Sequence, residues 1–170
     1  MPVIDCGRYP AKSVVGEQLT VAATVYREGH DAVGVNVVLR DSTGRTGPWT
    51  PMRLVAPGTD RYEAVVTADT TGPWTFQIEA WSDPLESWRH DARIKVPEGQ
   101  DVELMLEEGA RLHEQAAANL ANTTASGSEG NADTGDAGRL LSIADTLRSP
   151  GDPVERLSAA LARGVLALLA

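Results

Sequence analysis

Over residues 1–97 the apolar positions fall mostly at every second place. Glu17–Arg27 alternates through Leu19, Val21, Ala23 and Val25, and Val33–Asp41 through Val33, Val35, Val37 and Leu39. Trp49–Val55 and Arg61–Thr67 follow, parted by the turn-forming run Ala56-Pro57-Gly58-Thr59-Asp60. Trp74, Phe76, Ile78 and Ala80 then share one face against Thr75, Gln77 and Glu79 on the other. A period of two is that of a half-buried strand. Asp83-Pro84 reads as a hairpin turn into a sixth strand, Trp88–Val96, with a short extra strand at Val3–Asp5. Asp41–Gly44, Thr46–Pro48 and Thr71–Pro73 punctuate the series. Six antiparallel strands at this spacing predict a β-sandwich of immunoglobulin-like type, without the Cys…Trp…Cys signature of an antibody domain.

Beyond residue 97 the period changes to that of a helix. Val102, Met105, Leu106, Leu112, Ala116 and Leu120 recur at helical spacing behind Asp101, a candidate N-cap. Gly109 inside this run weakens the helix by about 1 kcal/mol relative to Ala. Residues 122–136, rich in Gly, Ser, Thr, Asn and Asp, read as a flexible loop. Arg139–Arg148 forms a shorter helix. Asp152 caps a final one with Pro153 at its first position and the stripe Val154, Leu157, Leu161, Val165 and Leu168. The expected fold is therefore mixed, β then α: a sandwich over 1–97 and a partial helical bundle over 98–170. The apolar ending Gly-Val-Leu-Ala-Leu-Leu-Ala carries no capping signal. It predicts a helix that docks on further protein or folds back on the first helix.

Composition narrows the function. A net charge of −9, with most of the acidic excess in the second half, disfavours nucleic acid and anionic membrane surfaces. No uncharged apolar run approaches a membrane span, and no signal-peptide pattern follows Met1. Cys6 is the one cysteine. It has no internal disulfide partner, and with the missing signal this points to the cytoplasm. The Asn122-Thr123-Thr124 sequon then reads as chance.

Catalytic groups are scarce. His30, His90 and His113 lack metal-ligand spacing, and no nucleophile elbow or phosphate loop is present. Glu107-Glu108 reads as a solvated helix face. No catalytic, cofactor or metal residue is assigned, and no cofactor is expected. The aromatic residues stand out instead. Three of the four tryptophans lie between residues 74 and 88. Trp74, in phase with Phe76, reads as core. Trp49, Trp81 and Trp88 sit at strand ends, where a ring can be half exposed. With Arg89 and His90 they are the candidates for an interface or for contact with sugar rings, an interface being the better reading.

Several strings together resemble the amino-terminal region of the GlgE family, the α-1,4-glucan:maltose-1-phosphate maltosyltransferases. They are Cys6-Gly-Arg-Tyr-Pro-Ala-Lys12, Arg27-Glu-Gly-His-Asp-Ala-Val33, Trp49-Thr-Pro-Met-Arg53, Ala56-Pro-Gly-Thr-Asp-Arg61, Gly72–Trp81, Trp88-Arg-His90 and Leu106-Glu-Glu-Gly-Ala-Arg-Leu112. The resemblance implies a sandwich with a helical insertion, followed in the family by an α-amylase-type barrel. It implies a homodimer formed through the sandwich and helices, with maltose 1-phosphate and α-1,4-glucan as substrates of the whole enzyme. It also implies retention through an Asp nucleophile and a Glu acid/base in the barrel, with no metal. The segment before Cys6-Gly7 is shorter than the family pattern, and the chain is expected to stop inside the helical insertion. The barrel carboxylates have no counterpart here, so the chain alone is expected to be inactive and to serve dimerisation and active-site support. The alternatives are a free-standing carbohydrate-binding module of α-glucan metabolism and a helical interaction protein acting through residues 98–170.

Overall fold

The computed structural model describes residues 8–125 and 133–162, so Cys6, the expected strand Val3–Asp5, Val165 and Leu168 lie outside it. The chain divides into two compact units at Asp83/Pro84.

Among its described residues the first unit holds six antiparallel strands: β1 (Gln18–Thr24), β2 (Val33–Arg40), β3 (Thr46–Pro51), β4 (Arg53–Leu54), β5 (Arg61–Thr67) and β6 (Thr75–Ser82). They form two three-stranded sheets, ordered β1-β5-β4 and β3-β2-β6. Val21, Ala64 and Val66 from the first sheet and Val35 and Val37 from the second meet with Met52 in one core. The register puts in-phase positions opposite each other, Val21 on Ala64 and Val37 on Ile78. Alternation thus fills one side of each sheet with β-branched and small apolar groups.

The expected strand Trp49–Val55 is two strands. The chain leaves one sheet after Pro51 and enters the other at Arg53. Met52, between them, is buried, and its N–H donates to Val35 O at 2.9 Å. A long apolar side chain seated in the shared core turns the chain from one layer to the next, as at the corners of packed sheets. At the β2–β3 turn Asp41 Oδ1 accepts from Thr43 N, Thr43 Oγ1 and Arg45 N, and Gly44 takes a φ of +86°. The Thr43 hydroxyl and the Arg45 guanidinium hold the Asp41 carboxyl down at about 2.

Among its described residues the second unit holds four helices: α1 (Pro84–Lys95), α2 (Val102–Ala125), α3 (Asp133–Arg148) and α4 (Pro153–Ala160). Here the structure departs from expectation. Residues 88–96 are not a strand; Trp88, Arg89 and His90 lie in α1, and Asp83-Pro84 opens a helix rather than a hairpin. Pro84 takes the first helical position, where its missing N–H costs nothing. Glu86 lies in the first turn and Arg93 and Lys95 in the last, matching the helix dipole. Trp88, Ala92 and Val96 recur every fourth residue and are buried. The compact units divide between Asp83 and Pro84, fourteen residues before the 97/98 boundary read from the sequence.

The stretch 122–136 is helical at both ends, since α2 runs to Ala125 and α3 starts at Asp133; residues 126–132 lie outside the described residues. Leu140, Ala144 and Leu147 of α3 are buried, as are Met105, Leu106 and Ala110 of α2 and Leu157 of α4. Asp152 caps α4 as expected, its Oδ1 accepting from Val154 N and Glu155 N at 2.9 and 3.0 Å. Arg156, almost fully buried, donates to Leu147 O, Ser149 O and Glu103. It thereby occupies carbonyls at the end of α3.

Candidate ligand-binding surface

In β2 the side chains of Val33, Val35, Val37 and Leu39 pack into the core. Strand geometry turns Gly34, Asn36, Val38 and Arg40 to the outer face. Register adds the neighbours on that face: Trp81 beside Gly34, Glu79 and Pro51 on either side of Asn36, Gln77 and Trp49 on either side of Val38. Trp49 and Trp81, contributed by the two strands flanking β2, meet there edge to face, with ring centroids 6.1 Å apart and planes inclined at 84°. They remain 54% and 43% exposed, so this contact leaves about half of each indole open.

Gly34 permits the arrangement. A Cβ on it would stand 2.4 Å from Trp81 Cε2, so no other residue fits under the ring as it lies. Asn36 lies in β2 between the positions paired with the two tryptophans. It is only 4% exposed although it faces outward, and its Oδ1 has no hydrogen-bond partner. Gln77 Nε2 donates to Glu79 Oε1 at 3.4 Å on the same face.

The other candidates lie elsewhere. Trp88 is not half exposed: it is 3% exposed in the helical core and donates Nε1–H to Met105 O at 2.6 Å. It cannot stack on a ligand, because the ring that would do so is consumed by packing. Arg89 pairs with Glu86 at 2.8 Å with most of its side chain buried, and His90 is exposed on α1. The structure thus brings together Trp49 and Trp81 and places Trp88, Arg89 and His90 in the helical unit. Trp74 is half-buried rather than core, and donates Nε1–H to Thr70 O at 3.0 Å. It borders a cavity of about 220 Å³ with Arg45, Asp69 and Leu39.

Sequence reasoning passed over Gly34 and Asn36. The available signal was a glycine and an asparagine, in phase with each other, inside a valine-rich strand where both are disfavoured. His113 is fully buried, its Nδ1 2.7 Å from Gly109 O and its ring edge to face with Trp88 at 5.6 Å. Burial pulls its pKa below the usual histidine value. Among the described residues no cluster of His, Cys, Asp and Glu is placed to hold a metal, and no helix is long and apolar enough to cross a membrane. On the helical surface Arg148 joins Glu107 and Glu114 of α2. Arg148, then Arg111, holds the Glu107 carboxyl down at about 2.

Comparison with known proteins gives this geometry a context. A family model described as α-1,4-glucan:maltose-1-phosphate maltosyltransferase, domain N/S, matches residues 1–170. Two similar proteins are the α-1,4-glucan:maltose-1-phosphate maltosyltransferases 1 and 2 of Streptomyces coelicolor. They are 56% and 52% identical to this chain over 99% of its length and 24% of theirs. The maltosyltransferase of Mycolicibacterium smegmatis is 37% identical over 99% of this chain and 26% of its own. The chain spans about a quarter of the length of these curated relatives.

Proposed function

This chain belongs to the domain N/S family of α-1,4-glucan:maltose-1-phosphate maltosyltransferases, and from that membership we propose that it is the non-catalytic amino-terminal region of such an enzyme. The observation that carries the reading is 56% identity sustained over 99% of the chain against 24% of a maltosyltransferase. In this reading the two-sheet unit is an immunoglobulin-like sandwich and the helices are an insertion that accompanies it. Together they hold two subunits as a homodimer and brace the region where a separate barrel carries the reaction. That barrel moves maltosyl units from maltose 1-phosphate to an α-1,4-glucan in the cytoplasm, as part of glycogen-type polymer synthesis. Its chemistry is that of a retaining enzyme with two carboxyl groups.

Two measurements on the purified chain test this. Incubated with maltose 1-phosphate and maltoheptaose, it releases no phosphate and lengthens no glucan; detectable transfer overturns the non-catalytic assignment. In sedimentation velocity it associates to twice its 18.1 kDa mass. A monomer at every concentration tried removes the dimerisation role.

A further inference from the structure

Two half-open tryptophans facing outward on one sheet invite three occupants: a second copy, another protein segment, or a sugar. The surroundings separate these. A protein interface centred on two indoles is ringed at its core by further apolar groups and depleted in charge. Here the rows around the rings carry Asn36, Arg40, Gln77 and Glu79, with Val38 and Pro51 as the apolar members. Aromatic faces among amides, a carboxylate and a guanidinium match a ligand that has both C–H faces and many hydroxyls. That is a pyranose. Acidic Glu79 and the net charge of −9 favour a neutral sugar over a phosphorylated one.

The angle between the rings narrows the linkage. β-1,4-linked chains are flat ribbons and suit coplanar aromatic rings. An α-1,4 linkage turns each glucosyl unit against the last, so the chain curves and its successive apolar faces diverge. Indoles inclined at 84° fit the curved chain and not the ribbon. Gly34 leaves the room Trp81 needs to take this inclination. Asn36 adds an independent sign: a buried acceptor without a partner is costly on a bare surface. It lies in β2 between the two tryptophan positions, where a slight shift of either indole opens it to a hydroxyl.

We propose that Trp49 and Trp81 form an accessory binding surface for α-1,4-linked glucan, each indole taking the face of one glucosyl ring, with Asn36, between their positions in β2, as a hydroxyl acceptor. The choice of α-glucan over other neutral sugars rests in part on the maltosyltransferase reading above. The surface holds glucan polymer near the enzyme and takes no part in the chemistry.

The test is titration of the 170-residue chain with maltoheptaose, followed by tryptophan fluorescence and calorimetry, with cellohexaose as the control sugar. Saturable binding in about the millimolar range is expected for maltoheptaose, as for a short, shallow sugar contact. Cellohexaose should bind at least about tenfold more weakly. Trp49→Ala and Trp81→Ala should each weaken maltoheptaose about tenfold or more. Gly34→Ala should do the same with both indoles retained, because the new methyl displaces the Trp81 ring. Far-UV circular dichroism checks that each variant is folded; exposed Trp49 carries the test should Gly34→Ala fail to fold.

No saturable signal, equal binding of cellohexaose, or unchanged affinity in Trp49→Ala overturns the proposal. So does a self-association that Trp49→Ala abolishes, since a second copy would then occupy the face. A chain that dimerises and is inert but ignores maltoheptaose loses only this surface. One that binds maltoheptaose yet never dimerises keeps the surface and loses the dimerisation role.

Discussion

Trp88 lies directly against Gly109: a Cβ on that glycine would stand 2.1 Å from the indole Cζ2. The same ring donates to Met105 O, one helical turn earlier in α2. Helix propensity alone says that Gly109→Ala gains about 1 kcal/mol. The contact says the reverse, because overpacking at a rigid ring costs about 1–3 kcal/mol and the adjacent hydrogen bond must stretch. We expect Gly109→Ala to lower the stability of the helical unit, measured as a lower urea midpoint. An unchanged or higher midpoint would show that Trp88 moves aside freely.

His113 gives the helical unit a pH dependence of definite sign. Its folded pKa lies below the usual histidine value of about 6.5, first through burial, against the raising hydrogen bond to Gly109, with Arg89 also disfavouring the charged ring. A depressed histidine keeps its full stability above the unfolded pKa and loses it as pH falls below about 6.5. The urea midpoint should therefore drop between pH about 7.5 and about 5.5. In His113→Phe that drop should shrink, whatever the variant does to stability at neutral pH.

Arg148 acts in a lower window. It depresses Glu107 and Glu114, Glu107 to about 2. Depressed carboxylates contribute above their unfolded pKa near 4.5, and the contribution fades as pH falls toward 2. In Arg148→Ala, nuclear magnetic resonance titration should show Glu107 moving up toward 4.5. Salt should produce a smaller rise in the parent chain, because the network is exposed to solvent.

Arg156 is the buried charge on which the end of α3 depends. It spans two backbone carbonyls and Glu103. Arg156→Ala should cost about 2–3 kcal/mol, the range for charge-assisted bonds whose partners are left unmet. Arg156→Lys should recover little of it, since an ammonium cannot reproduce the forked donors. Denaturant unfolding of both variants decides the point; full rescue by lysine would reduce the site to a simple charge.

Much of the two-sheet unit was legible because the inward positions of β1, β2 and β5 meet in one core, which enforces their period of two, whereas in β6 only Ile78 packs against it. The failure at residues 88–96 came from reading tryptophan and Asp-Pro as strand and turn signals. The fourfold spacing of Trp88, Ala92 and Val96 was the better guide. The meeting of Trp49 with Trp81 could not be read in advance, since thirty-two positions separate them and only the register about β2 joins them. Trp88, Arg89 and His90 were grouped with them by proximity along the chain, which the opening of α1 undoes. Asn36 was invisible because its place in the alternation marks it as outward, while its burial is visible only in the folded sheet.

The crossing of the chain at Met52 bears on how the first unit comes apart. The two sheets share no interlayer hydrogen-bond ladder, so by themselves they would peel away from each other layer by layer. One continuous segment stitches them: its first half is laced into β2, its second into β5, and its middle is pinned by Met52 N–H on Val35 O. Neither layer can open without dragging this stitch out of the other. The amide proton of Met52 should then exchange with solvent only in whole-unit opening events, and the layers should lose protection together rather than in sequence.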